Sequence, residues 1–193
     1  MIDVFEVEGL LRSERGDAIV VCANVAGQAW RSSGGRDDLD FYGGNSMGDA
    51  GGVALGLALA QPQRPVLVLV GDGASLMGLA SLVTIASQGP PNLTIHVFEN
   101  DMHEMTGGQP IPGAGVVDFA AIARGAGFPV AAAFDDLEAF RAARPALMAQ
   151  AGPRLFVLKV APCMDRIPRI GLPNMAEMAH GFRERLLQRV RAR

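Results

Sequence analysis

Two segments, "PVLVLVGDGASLMG" from Pro65 to Gly78 and "LTIHVFENDMHEMTGGQ" from Leu93 to Gln109, each carry an apolar run that stops abruptly on carboxylates and small residues. A run without polar alternation is a strand buried on both faces, and such strands occur in parallel sheets covered by helices on each side. Further runs of the same kind are "AIVVC", "LDFYG", "PVAAAF" and "RLFVLKV". The expected architecture is a three-layer α/β/α fold with a mostly parallel sheet of about six strands. Helical patterns fill the intervals at Phe5–Arg12, Asn24–Ser32, Asp49–Leu59, Ser75–Ser87, Asp118–Gly125, Leu137–Gln150 and Met175–Val190, several with Asn, Asp or Ser near their starts. No internal repeat or linker divides the chain, so residues 1–193 are read as a single domain.

In sheets of this type ligands lie beyond the carboxyl ends of the strands. Both polar clusters sit at such ends, which favours a site over a pair of turns. Glycine supports that reading: 24 of 193 residues is about 12%, against an average near 7%. The excess is concentrated in "YGGNSMGDAGGVALGLALA" and "GDGASLMG", at strand-to-helix junctions where backbone amides can approach a phosphate. A small-residue helix such as "AGGVALGLALA" can equally serve tight packing.

The charge balance excludes other classes. A formal charge of -3 and a pI near 5.6 give no general nucleic-acid surface, although the ending "FRERLLQRVRAR" is locally basic. Cys22 and Cys163 stand far apart with no metal-binding spacing, which fits a reduced compartment. The start "MIDVFEVEGLLRSERGD" is acidic where a secretory leader would be basic. No apolar run approaches the roughly 18 residues of a membrane span, so a cytoplasmic location is expected. The Gly/Pro-rich connection Gly107 to Asp118 is expected to be mobile or to face a partner.

A diphosphate carried on magnesium would explain both clusters. Hard cations of that kind take oxygen ligands. Asp72 offers a carboxylate, Asn100 an amide oxygen, and a carbonyl just beyond Asn100 a third oxygen, while Gly71 and Gly73 clear space. A helix opening at Ser75 would aim its dipole at the remaining charge. On this reading Asp72→Ala removes a surface-facing ligand and abolishes magnesium-dependent binding without unfolding the chain.

GDG followed some thirty residues later by an Asn at a strand end resembles the fingerprint of the thiamine-diphosphate-dependent enzymes. The segment from Asn45 to Gln109, and less specifically most of the chain to "PRIGLPNMAEMAHGFRERL", resembles the cofactor-binding half of phosphonopyruvate and sulfopyruvate decarboxylases. The resemblance implies Asp72, Asn100 and the main-chain oxygen of Met102 as magnesium ligands. It implies amides of Gly73 and Ala74 on the diphosphate, Met47 wedged beneath the cofactor to bend it, and the Asn45 carbonyl on its aminopyrimidine. Ser46, Gly71 and Met105 complete the implied contacts. The implied reaction is loss of carbon dioxide from a 2-oxo acid to leave an aldehyde, with the cofactor as electron sink.

The glutamate that activates the cofactor in this family belongs to a pyrimidine-binding domain for which this chain has no room. The resemblance therefore implies a beta-type subunit of a hetero-oligomer, with that catalytic glutamate on an alpha-type partner chain.

Three stretches depart from the family pattern: Asp49, Glu99 and Asp101-Met102-His103. An aspartate near a pocket built for a phosphonate or sulfonate would repel it by on the order of 1 kcal/mol at short range. His103 and Glu104 follow the metal loop, where a titratable pair could shuttle a proton. His96, inside an apolar strand, reads as a satisfied core residue, and His180 as a residue of the terminal helix. A carboligase of the acetolactate-synthase kind and a non-catalytic cofactor-binding subunit remain open. The missing cysteine cluster disfavours an iron–sulfur 2-oxo acid oxidoreductase, and a plain nucleotide-binding module lacks GxGxxG and a Walker lysine.

Overall fold

The computed structural model describes residues 1–34, 39–43, 47–168, 171 and 174–191. The chain begins with α1 (Val4–Glu14), whose N-cap Asp3 accepts a hydrogen bond from the Phe5 amide at 2.8 Å. It continues through β1 (Ile19–Cys22), α2 (Asn24–Ser32), β2 (Asp40–Tyr42), α3 (Ala50–Ala60) and β3 (Val66–Gly71). Next come α4 (Asp72–Met77), α5 (Leu79–Gln88), β4 (Leu93–Glu99), β5 (Met102–His103), a 3-10 turn at Glu104–Thr106 and β6 (Gln109–Pro110). The last part holds α6 (Phe119–Ala126), β7 (Val130–Phe134), α7 (Leu137–Met148), β8 (Arg154–Lys159), a second 3-10 turn at Met164–Arg166 and α8 (Met175–Arg191).

Six strands form one sheet in the order β2-β1-β3-β4-β8-β7, every pairing parallel. The unalternated runs are buried as expected: all of β1, and all but the final residue of β3, β4 and β8. Helices cover both faces. Ala54 of α3, Ile85 of α5 and Phe119 of α6 belong to one apolar core. Leu11 of α1, Trp30 of α2 and Phe140 of α7 belong to the other. Phe182 of α8 packs edge-on against Phe41 of β2, with ring centroids 5.3 Å apart.

His96 is fully buried between Phe140 and Phe156. It is a core residue, but its ring is not satisfied as expected, because neither nitrogen makes a full hydrogen bond. Burial pushes its pKa down to about 4, with the Val68 backbone partly opposing. Among the described residues no helix is long and apolar enough to cross a membrane.

The single helix expected at Ser75–Ser87 is two, α4 and α5, divided at Gly78. A Cβ on Gly78 would collide with the Gly48 carbonyl oxygen, and Gly48 itself has a left-handed φ of 92°. Backbone meets backbone there, so the helix axis breaks to admit the contact. The helix also opens at Asp72, three residues earlier than expected. The antiparallel β5–β6 pair was not foreseen, each strand being two residues long.

Between β1 and β3 the strand order reverses: the chain leaves β1 outward to β2 and returns to β3 on the opposite side. Such a switch point opens a crevice at the carboxyl ends of the strands.

Candidate cofactor site

Asp72 is 1% exposed at the floor of that crevice. Its Oδ1 accepts from the Gly73 amide at 2.7 Å, and its Oδ2 from the amides of Asn100 at 2.9 Å and Asp101 at 2.6 Å. Two successive amides reach one oxygen because Asp101 takes a left-handed φ of 63°, which turns the chain directly after β4. Asp72 is thus a buried clamp between two strand ends, not the surface-facing ligand expected. Burial pushes its carboxyl up, and the three amides pull it back.

Asn100 is oriented from both sides. Its Nδ2 donates to Glu104 Oε2 at 2.7 Å, and its Oδ1 accepts from the Met102 amide at 3.2 Å. Glu104 in turn accepts the amides of Cys163 and Met164 on Oε1, at 2.7 and 3.0 Å. Both carboxylate oxygens are therefore engaged, and among the described residues no hydrogen bond joins Glu104 to His103. Of the two residues expected to shuttle a proton, Glu104 anchors Asn100 and His103 lies over Gly73, and both line one cavity. A Cβ on Gly73 would collide with the His103 ring, so a larger residue in that cradle would have to displace this side chain.

A cavity of about 200 Å³ opens above these groups. Met47, Gly71, Asp72, Gly73, Ala74, Asn100, Met102 and Met105 all line it, together with His103 and Glu104. Asn45 and Ser46, also expected to contact the cofactor, lie outside the described residues. A second cavity of about 380 Å³ lies beyond β4 and β8, against Glu99, Asp118 and Lys159. It shares Asn100 but gathers neither the GDG glycines nor Asp72, so the smaller cavity is the candidate site.

Asn24 lines the candidate cavity without having been singled out. It follows β1 with a left-handed φ of 54°, and its Nδ2 is buried without a partner. A polar residue two positions past the buried run "AIVVC" was the available signal. Asp49 is exposed and does not line the cavity, so the repulsion expected of it has no geometric basis. Cys163 does line the cavity, but burial and nearby Glu104 push its thiol up to about 12, far from a nucleophilic thiolate. The Gly107–Asp118 connection is tied to the site, since the Asp101 carbonyl accepts the Ile111 amide and its side chain accepts the Gly115 amide.

The donor set suits a hard divalent cation. Asp72 is desolvated and, among the described residues, makes no ion pair, so a cation bound beside it would meet an uncompensated carboxylate. Carboxylate, amide and carbonyl oxygens match magnesium and not a soft metal.

Comparison with known proteins agrees with the fold. Residues 20–158 match the family model described as thiamine pyrophosphate enzyme, C-terminal TPP binding domain. The chain is 37% identical over 181 residues to phosphonopyruvate decarboxylase of Streptomyces viridochromogenes, covering 92% of this chain and 44% of that protein. It is 40% identical over 151 residues to sulfopyruvate decarboxylase subunit beta of Methanothermobacter thermautotrophicus, covering 78% and 75%. The chain thus spans less than half the length of the phosphonopyruvate decarboxylases it matches. Among solved structures, a thiamine diphosphate-dependent 4-hydroxybenzoylformate decarboxylase of Rhodococcus jostii superposes with a TM-score of 0.65 at 24% identity, over 82% of this chain and 32% of that one.

Proposed function

Since the chain belongs to the thiamine pyrophosphate enzyme family through its C-terminal TPP-binding domain, we propose that it is the cofactor-binding subunit of a 2-oxo acid decarboxylase completed by a partner chain. The observation that carries this reading is the Asp72 clamp, which sets Asp72, Asn100 and Met102 side by side on the wall of one cavity.

In this reading Asp72, Asn100 Oδ1 and the Met102 carbonyl hold magnesium, and the Ala74 amide holds the diphosphate together with the Gly73 amide, which has to leave Asp72 Oδ1 to do so. Met47 supports the cofactor from beneath. When bound, thiamine diphosphate supplies the carbon nucleophile and electron sink that decarboxylation requires. Glu104 keeps the Asn100 oxygen turned to the metal by occupying its amide nitrogen. His103, on the cavity wall over Gly73, is read as the residue that could exchange a proton with the substrate.

The activating glutamate is assigned to the partner. Two observations support a partner. One relative is itself named as a beta subunit. In addition, α3 and α5 pack together and expose Val53, Leu59 and Val83, while Met77 of α4 is both exposed and part of the cavity wall. Exposed apolar side chains of this kind are suited to burial against another chain.

The test is co-purification of the tagged chain from its native extract with thiamine diphosphate and magnesium, followed by assay for carbon dioxide release from 2-oxo acids. Recovery of a second subunit together with decarboxylation is expected. Full activity from the isolated chain would overturn the two-chain reading, and a complex that binds cofactor but releases no carbon dioxide would overturn the decarboxylase.

A further inference from the structure

Gly73 stands in the first turn of α4, and its φ is not left-handed. Backbone conformation therefore does not ask for glycine there, and within a helix glycine is less favourable than alanine. What the position gains is space for a group to approach the backbone closely. In the structure that space is taken: the His103 ring lies against Gly73 where a Cβ would stand, and Ile111 Cγ2 lies 3.2 Å from the same point. Gly73 is buried although it lines the cavity. Its amide is turned to Asp72 Oδ1 at 2.7 Å. The group that the proposed function gives to the diphosphate is thus engaged by one side chain, and its residue is covered by another.

The backbone around His103 is held at several points. The Asp101 and Met102 amides donate to Asp72 Oδ2 and Asn100 Oδ1, and the His103 carbonyl accepts the Gly108 amide at 3.0 Å. The next residue, Glu104, accepts from Asn100, Cys163 and Met164. The His103 side chain is only partly buried, and among the described residues its ring makes no hydrogen bond. Rotation between staggered side-chain positions is therefore the movement open to it, and this rotation breaks none of those backbone bonds. A diphosphate seated on the Gly73 and Ala74 amides brings several oxygens up to Gly73, where they and the imidazole compete for one space.

We propose that the His103 ring is a displaceable cover over the diphosphate cradle, packed on Gly73 until the phosphates of the cofactor replace it. The proposal rests on the proposed function, which gives this cradle to the diphosphate. Because only the uncovered form binds, the cover lowers the apparent affinity in proportion to the time the cradle is closed.

The test is run on the full chain alone and again on the assembled enzyme, labelled with [ε-13C]histidine. The signals of His96, His103 and His180 are assigned by substitution. A nuclear Overhauser contact between the His103 ring and the Gly73 α-protons is expected before addition of thiamine diphosphate and magnesium and is lost at saturation. Its absence at the start, or its persistence with cofactor bound, overturns the cover. Calorimetry then compares His103→Ala, which removes the ring, with His103→Phe, which keeps a ring without nitrogens. The expected Kd for thiamine diphosphate at saturating magnesium is at least threefold lower than wild type in His103→Ala, and no lower than wild type in His103→Phe. Unchanged or weaker binding in His103→Ala overturns the cover, as does tighter binding in His103→Phe. Failure of the wild type and of both variants to bind thiamine diphosphate overturns the cofactor reading and the cover with it, whereas binding without the expected differences overturns the cover alone.

Discussion

The Asn100 amide donates to Asp72 Oδ2 across 2.9 Å, joining residues 28 positions apart at the ends of two neighbouring parallel strands. One carboxylate thereby has two tasks: it fixes the turn that presents Asn100, and it is itself the proposed anionic ligand. Substitutions at Asp72 separate these tasks.

Asp72→Ala strips the acceptor from three amides in a buried site. At a cost of about 1–3 kcal/mol for each buried group left unpaired, part of it relieved by relaxation, the fold should lose roughly 2–4 kcal/mol. Asp72→Asn keeps the shape and one acceptor oxygen and should lose less. Urea denaturation measures stability, and calorimetry should show magnesium-dependent binding of thiamine diphosphate lost in both variants. Retained affinity in Asp72→Asn would sink the metal assignment.

Glu104→Gln leaves one oxygen where two are needed, one for Asn100 Nδ2 and one for the amides of Cys163 and Met164. The cost should be about 1–2 kcal/mol in stability. Because Asn100 is then free to rotate, cofactor affinity at saturating magnesium should fall about tenfold, in line with losses seen for outer-shell partners. Calorimetry on the variant checks this, and an unchanged Kd would mean that Glu104 serves only the turn at Met164.

Glu8 of α1 is fully buried, with Ser33 Oγ at 3.3 Å from Oε2 and Oε1 unpartnered. Burial pushes its carboxyl up to about 9. The folded state therefore holds a proton that the unfolded chain releases above its ordinary value of 4.5. Stability should fall as pH rises from that value towards 9, by about 1–3 kcal/mol between roughly pH 6 and 8. His96 acts in the opposite direction. Its folded pKa near 4 lies below the ordinary 6.5, so its contribution is complete above 6.5 and is lost as pH falls towards 4. Denaturation across pH should show an alkaline decline that Glu8→Gln flattens and an acid decline that His96→Leu flattens. A decline unchanged by the matching substitution would contradict its assignment.

Gly78→Ala drives a methyl into the Gly48 carbonyl at a position where backbone faces backbone. Overpacking of this kind costs about 1–3 kcal/mol. Because Gly48 follows Met47 directly, the displacement should also weaken cofactor binding, whereas Gly56→Ala, which meets open space on α3, should do neither. Thermal unfolding and calorimetry on the pair provide the comparison.

Much of the architecture was legible because it depends on local pattern. Val66 to Val70 and Leu93 to Phe98 can be buried on both faces only within a covered sheet. The Asp72–Asn100 pairing was also legible, since both residues end such runs. What could not be read depends on contacts between distant segments. Gly78 breaks a helix because of Gly48, thirty residues away, and no propensity within "SLMGLASLV" expresses that. The anchoring of Glu104 depends on amides 59 and 60 positions later. From sequence, a Glu beside a His suggested proton transfer; in space, the two side chains go to different partners.

That long-range bond links events at the site to a remote part of the chain. The Cys163 and Met164 amides lie just past β8, and Arg166 in the same turn binds Asp3, the cap of α1, at 2.6 Å. From Asn100 through Glu104 to the first helix there is a continuous relay of hydrogen bonds and turn backbone. Stiffening of the loop after β4 should therefore be shared with the amino-terminal end of the chain, and slowed hydrogen exchange at the Cys163 amide would report occupancy of the site without any observation of the ligand.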